Sequence, residues 1–252
     1  MRETAYAKIN LALHVRAREA DGYHRIETIF AFCEDGDVLT AGEADALSLT
    51  VVGTFAGDLA GEADNLALKA AWAVGATAAL TLDKRLPVAA GLGGGSADAA
   101  AVLRLFGGGE AIARSLGADV PACLLSQTAR GDGRGDEITP LFLKDLAGTP
   151  VLLVNPGVPL STAAVFAAWD GIDRGPLADW ETGRNDLEAA AIALVPEITD
   201  VLNALSGARI ARMSGSGATC FGLYESDGTR DAAGARIAAR NPAWWVSQTR
   251  LR

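Results

Sequence analysis

Cysteine, histidine and basic charge are all scarce in this 252-residue chain, and each scarcity closes off a class of function. The three cysteines, Cys33, Cys123 and Cys220, stand far apart with no C-x-x-C pair, so neither a disulfide framework nor a thiolate metal site is indicated. They read as small core residues. His14 and His24 are too few for a histidine metal cluster. Lys and Arg number 22 against 31 Asp and Glu, a formal charge of −9, which leaves no basic stripe to neutralise nucleic-acid phosphates. No nucleic-acid partner is expected, and any anionic ligand must be held by local contacts. No apolar run reaches the roughly 18 residues of a membrane span. The opening Met1-Arg2-Glu3-Thr4-Ala5-Tyr6 lacks the charged-then-apolar layout of a signal peptide, so the expectation is a cytoplasmic protein with no membrane partner.

What is abundant is small and apolar. Half the residues are hydrophobic and 29 are glycine, enough for one large core or two modest ones, with two α/β units as the better expectation. Four of the glycines fall within five residues, in Leu86-Pro87-Val88-Ala89-Ala90-Gly91-Leu92-Gly93-Gly94-Gly95-Ser96-Ala97-Asp98, and run into an alanine-rich helical pattern. This is the composition of a phosphate cradle. Glycine backbone can approach an anion closely, and the helix expected to begin near Ser96 points unpaired N–H groups and its positive dipole end at the same place. Ser96 and Asp98 would open that helix, the serine either capping it or meeting a phosphate oxygen or its metal ion. No lysine follows the glycines as a P-loop requires, and G-x-G-x-x-G fails at Ser96, so both common nucleotide motifs are disfavoured. The plain alternative is a glycine-rich turn between a strand at residues 79–82 and a helix.

Elsewhere the pattern alternates strands and helices. Residues 4–15 have the period of a half-buried strand, with Tyr6, Lys8, Asn10 and Ala12 on one face. Asp21-Gly22-Tyr23-His24 is a turn into a strand at 25–32, Asp35-Gly36 a second turn into a strand at 37–40, and 47–51 a further strand. Asp64-Asn65 caps a helix to about Gly75, and Asp119 ahead of Pro121 starts another. Arg130 to Asp136 reads as an exposed loop followed by a strand at 137–143. A boundary near 146–150 divides the chain into 1–148 and 149–252. The second half reads as strand 151–154, helices from Ser161 or Thr162, from Asn185-Asp186-Leu187 and from Pro196, then strands 208–213 and 218–224 around Ser214-Gly215-Ser216-Gly217. A helix at 229–240 and a strand at 244–249 close it. That Gly/Ser turn suits a hairpin or a phosphate-facing nest.

Three motifs in order, Ala7-Lys8-Ile9-Asn10-Leu11, the Pro87 to Ala100 glycine loop and Met213-Ser214-Gly215-Ser216-Gly217-Ala218, resemble the GHMP kinase superfamily. Asp21-Gly22-Tyr23-His24, Leu116-Gly117-Ala118-Asp119-Val120-Pro121 and Asn155-Pro156-Gly157 look like its branch acting on cytidine diphosphate methylerythritol. The resemblance implies an α+β, two-domain GHMP kinase fold, with a mixed-sheet N-terminal nucleotide and catalytic domain and an α/β C-terminal domain carrying an antiparallel sheet. It implies ATP with Mg²⁺ as phosphate donor, a small-molecule acceptor phosphorylated at its 2-hydroxyl on the non-mevalonate route to isoprenoid precursors, and a monomer or weak homodimer. By the same resemblance Asp119 takes the acceptor proton and Lys8 lies beside it. The run Pro87, Val88, Ala89, Ala90, Gly91, Leu92, Gly93, Gly94, Gly95, Ser96 and Ala97, together with Asn65 and Lys69, serves the nucleotide. Ser96 is the candidate to meet the metal through Mg-ATP. Tyr23, His24 and Phe166 serve the cytosine, and Asn10, Thr162, Gly215 and Ser216 the rest of the acceptor. Between Leu103 and Leu116 the chain has only a short Gly107-Gly108-Gly109 connection where the family generally carries a longer helical insertion.

Two other classes stay open on sequence. A regulatory nucleotide-binding module that kept the fold and lost the chemistry is opposed by the presence of both Lys8 and Asp119. A dehydrogenase is opposed by the missing acidic residue of a β-α-β fingerprint.

Overall fold

The structure, a computed structural model, describes residues 1–59 and 64–252. One mixed sheet holds β1 (Arg2–Arg18), β2 (His24–Glu43), β3 (Ser48–Val52), β4 (Ala78–Asp83), β5 (Ala129–Asp132) and β6 (Glu137–Pro140). Its order is β3-β4-β2-β5-β6 with β1 paired to β2, and only β3 and β4 run parallel. Helices α1 (Leu66–Ala73), α2 (Gly94–Phe106), α3 (Glu110–Leu116) and α4 (Val120–Leu125) share a core with it, in which alanines of α1 and α2 meet Phe30, Phe32, Leu80 and Leu82. A second, wholly antiparallel sheet has the order β10-β7-β9-β8, from β7 (Pro150–Asn155), β8 (Ile210–Met213), β9 (Cys220–Leu223) and β10 (Trp245–Arg250). With it pack α5 (Thr162–Ala167), α6 (Glu188–Leu194), α7 (Glu197–Ala204) and α8 (Asp227–Arg240). No described helix is long and apolar enough to cross a membrane.

Five local expectations need correction. β1 is not half-buried: from Ala7 to Val15 both faces are covered. Ala7, Ile9 and Leu11 share a core with Val151, Leu153 and Phe221 of the second sheet, while Lys8 and Asn10 on the other face meet the glycine bend. Asp35-Gly36 is no turn but part of one twenty-residue strand, because the register with β1 shifts between Tyr6 and Lys8 and absorbs the irregularity as a bulge. Residues 129–132 and 137–140 pair as a hairpin where a loop was expected from Arg130. α2 starts at Gly94, with left-handed Gly93 (φ 63°) as N-cap, so Ser96 sits in the first turn and does not cap. Asp98 does not open that helix to solvent either, since it is buried.

Asp98 belongs to a buried charge cluster behind the glycine bend. The Lys84 ammonium donates to Asp37 Oδ2 at 2.5 Å and to Asp98 Oδ2 at 2.8 Å, with all three residues at most 2% exposed. Asp37 Oδ1 also accepts from the backbone N–H groups of Arg85 and Leu86, at 2.6 and 2.8 Å. Burial alone would favour neutral Lys84, but the charges of Asp98 and Asp37 outweigh it and raise its pKa. Burial likewise pushes the Asp98 carboxyl up to about 7 against the opposing pull of Lys84, and its Oδ1 has no hydrogen-bond partner. The cluster therefore ties the end of β4, the middle of β2 and the first turns of α2 to one point.

Two outcomes test this packing. A Cβ on Gly36 would lie 2.0 Å from the Ala5 carbonyl oxygen, so Gly36→Ala lowers stability by about 2 kcal/mol or more; an unchanged urea midpoint would show that the strands part freely there. Asp98 folded titrates near 7 and unfolded near about 4, so the folded state holds the extra proton between those values and stability contributed by the group falls as pH rises through that window. Urea midpoints of the parent relative to Asp98→Asn are expected to decline from pH 5 to pH 8, and parallel curves would contradict the raised carboxyl.

Candidate active site

Three separated segments of the chain are stitched together around the glycine bend. The Lys8 backbone N–H donates to the Leu92 carbonyl at 3.0 Å, and Thr219 N–H donates to the Ala90 carbonyl at 3.2 Å. Ser214 Oγ donates to the Gly91 carbonyl at 2.8 Å and accepts from Asn10 N–H at 3.2 Å. At Gly91 (φ 75°) a Cβ would sit 2.3 Å from the Ser214 carbonyl oxygen, so only glycine lets the bend and the β8–β9 turn approach this closely. Asn185, between the chain segment after α5 and α6, holds that turn by donating to the carbonyls of Met213 and Gly215, both at 2.8 Å.

Past this seam opens a cleft of about 830 Å³. Gly91, Gly93, Gly94, Gly95 and Ser96 line one wall together with Ala89 and Ala90. Because the first helical bond of α2 runs from Ala97 N–H to the Gly93 carbonyl, the N–H groups of residues 94–96 have no partner within the helix and stand at its positive end. Leu92 and Ala97 are buried instead, and Pro87 and Val88 are not on the lining. Asn65 caps α1 by accepting from Ala67 N–H at 2.9 Å and Lys69 pairs with Asp64; Leu66 of the same helix lines the cleft.

Lys8 and Asp119 meet at the end of the bend. The ammonium lies 3.0 Å from Asp119 Oδ2 and donates to Asn10 Oδ1 at 3.0 Å, with the Phe30 ring centroid 5.1 Å away. Lys8 is buried while the Asp119 side chain is 38% exposed, so the pair presents its carboxylate to the cleft. Asp119 stands at the N-cap of α4, but its side chain makes no capping bond, which leaves the carboxylate for Lys8 and for whatever enters. The Asn10 amide is fixed at both ends: its Oδ1 accepts from Lys8, and its Nδ2 donates to Thr28 Oγ1 at 2.8 Å, which in turn donates to the Ala12 carbonyl at 2.7 Å.

The far end of the same cleft is aromatic. Tyr23, His24, Thr162, Phe166, Gly215 and Ser216 all line it, and Thr162 Oγ1 and Ser216 Oγ are 2.8 Å apart. His24 is 8% exposed, its ring centroid is 5.0 Å from that of Phe166, and burial followed by the charge of Arg18 lowers its pKa, so the imidazole is neutral at pH 7. Tyr23 is 58% exposed, held by an Asx turn in which its N–H donates to Asp21 Oδ1 at 3.1 Å, with the Arg134 guanidinium 4.1 Å from its ring centroid. Arg18, Arg134 and the Lys84 cluster were not found from sequence. A strand-end arginine and an arginine in a glycine-rich turn look solvated, and only the fold shows that Arg18 and Arg134 converge on the cleft.

The geometry matches what is similar to this chain. Residues 65–127 match the family model described as GHMP kinases N terminal domain, and residues 170–243 match GHMP kinases C terminal. The 4-diphosphocytidyl-2-C-methyl-D-erythritol kinase of Rhizorhabdus wittichii is 54% identical over 99% of this chain and 94% of its own, and that of Novosphingobium aromaticivorans 53% identical over 100% and 93%. A crystal structure of 4-(cytidine 5'-diphospho)-2C-methyl-D-erythritol kinase superposes with a TM-score of 0.82 at 34% identity, covering 99% of both chains. With identity of this extent along its whole length, and with its glycine bend, Lys8 and Asp119 gathered in one cleft, the chain belongs to the GHMP kinase family.

Proposed function

We propose that this protein transfers the γ-phosphoryl group of ATP to the 2-hydroxyl of 4-diphosphocytidyl-2-C-methyl-D-erythritol, giving the 2-phosphate and ADP in the non-mevalonate route to isoprenoid precursors. The observation that carries the reading is a single cleft with a backbone phosphate cradle and the Lys8–Asp119 pair at one end and a neutral histidine among aromatic rings at the other. Residues 91 and 93–96 take the triphosphate through backbone N–H groups and the α2 dipole. Asp119 accepts the proton of the attacking hydroxyl as the oxygen bonds to the γ-phosphorus and ADP departs. Lys8, buried beside it, orients the carboxylate and offsets the charge that builds on the transferring group. Asn10, held from three sides, points its carbonyl oxygen at Lys8 and so fixes where that ammonium stands.

For the acceptor, a cytosine fits between Tyr23 and Phe166 with its edge read by His24, and Thr162, Gly215 and Ser216 flank the remainder. Among the described residues no group of three His, Cys, Asp or Glu side chains could hold a metal ion alone. Mg²⁺ would therefore enter with the nucleotide phosphates, with Ser96, in the first turn of α2, as the side-chain oxygen at the cradle. Bound there it would neutralise phosphate oxygens. We further assign the work to two domains, 1–148 and 149–252, in a cytoplasmic monomer or weak homodimer; the net charge of −9 speaks against a nucleic-acid partner.

Turnover with 4-diphosphocytidyl-2-C-methyl-D-erythritol, followed by ADP release, tests the acceptor; release with homoserine or mevalonate in its place would keep the family and reject the substrate. Asp119→Asn is expected to lower kcat by about 10²–10⁴-fold and Lys8→Ala by about 10²–10³-fold, with ATP affinity changed little because the backbone cradle is intact. An unaltered kcat for Asp119→Asn would remove the aspartate from the chemistry.

A further inference from the structure

The neutral imidazole of His24 makes no hydrogen bond to another described residue, so its ring nitrogens are left for a ligand. Two aromatic rings flank it. Phe166 lies against it at 5.0 Å, tilted by 38°, and Trp169 meets it nearly edge to face, at 5.6 Å and 83°. Phe166 and Trp169 are three residues apart where α5 ends, and the backbone turn that joins them, Trp169 N–H to the Phe166 carbonyl at 3.3 Å, puts both rings on the same side. Phe166 lines the cleft, whereas Trp169 is not among the lining residues and stands behind. Its indole N–H is buried without a partner. The ring is thus held there by packing, not by a hydrogen bond of its own.

We propose that Trp169 is a positioning residue for base recognition: by bracing the His24 ring it fixes the direction in which one donor and one acceptor nitrogen meet the edge of the cytosine. This rests on the reading that the aromatic end of the cleft takes a cytidine diphosphate. A neutral imidazole offers one N–H and one lone pair, so it tells an amino edge from a carbonyl edge only if its plane is held; a ring free to turn would satisfy either. Phe166 lies tilted by 38° to the imidazole and Trp169 nearly perpendicular to it, so the two rings restrain different rotations of it.

Two variants separate this role from general packing. Trp169→Met keeps an apolar side chain and removes the ring, and Trp169→Phe keeps a ring. An aromatic contact of this kind is worth ~2–10-fold, so Trp169→Met is expected to raise KM for the cytidine-linked acceptor by about that factor. Its preference over the uridine-linked analogue falls alongside, while kcat and KM for ATP stay within about twofold. Trp169→Phe recovers most of the loss. Unchanged acceptor KM and base preference in Trp169→Met would overturn the proposal, as would equal rises in KM for ATP and acceptor, or a Trp169→Phe variant no better than Trp169→Met. If the parent fails to discriminate cytidine- from uridine-linked acceptor at all, the reading of the aromatic end falls, and the role of Trp169 falls with it.

Discussion

One ammonium, that of Lys84, lies at the point on which the nucleotide wall of this protein hangs. It joins Asp37 of β2 to Asp98 of α2, and Asp37 uses its other oxygen to hold the backbone at Arg85 and Leu86. The glycine bend from Pro87 to Gly93 therefore starts and finishes on the same cluster. A segment this rich in glycine has more conformational freedom to lose than any other, and tying both its ends to one buried charge lowers the entropy that a phosphate would otherwise have to freeze out. A Cβ on Gly94 would come within 2.9 Å of the Lys84 nitrogen and 3.6 Å of Asp37 Oδ2, so the cluster sits directly beneath the first turn of α2. Two carboxylates and one ammonium out of water are unfavourable unless their geometry is complete, and here an Asp98 oxygen is left unpaired. That arrangement trades stability for a cradle formed before any ligand arrives.

The second constraint is the burial of β1 on both faces. Ala7, Ile9 and Leu11 are packed into a core shared with the second sheet, so the intervening Lys8 and Asn10 have no choice of side and must face the bend. This is how a flexible lysine becomes a fixed group: its ammonium is held by Asn10 and Asp119, its stem touches Gly93, and the rotamer freedom that would blur its position is gone. Ser214 then couples this strand to the bend and to the second sheet in one step, since its hydroxyl accepts from Asn10 and donates to Gly91.

Much of this was legible in the sequence where local chemistry decides the structure. Asn65 and Ser161 cap the helices that their positions announce, and both accept from backbone N–H groups of the first turn. The Gly/Ser turn does join two antiparallel strands. Lys8 and Asn10 do share a face, which a period of two requires. What failed was whatever depends on distant partners. Asp35-Gly36 has turn composition, yet β1 approaches Gly36 so closely that the strand runs through. Lys84, Asp37 and Asp98 look like three unrelated surface charges, because nothing local marks a charge as buried. Trp169 shows only a helix-end aromatic, and its partner His24 is 145 residues earlier in the chain.

Charge explains how so acidic a chain can hold two polyanions. The whole molecule carries −9, but the cleft wall presents Lys8, Arg18 and Arg134 against Asp21 and Asp119, so the lining alone is positive by one. To this the α2 dipole adds about half a charge, whereas the Lys84 ammonium is spent on Asp37 and Asp98 and adds nothing net. Surface carboxylates beyond about 10 Å are screened by salt, whereas the groups within a narrow cleft act through less water and keep their effect. Arg134 is itself bound to Glu19 and Asp21 and stacked on Tyr23, so its charge at the mouth of the cleft is tempered and its position is fixed. Cations are thus spread along the cleft, Lys8 at the glycine bend and Arg134 beside Tyr23, within a chain whose net charge is negative.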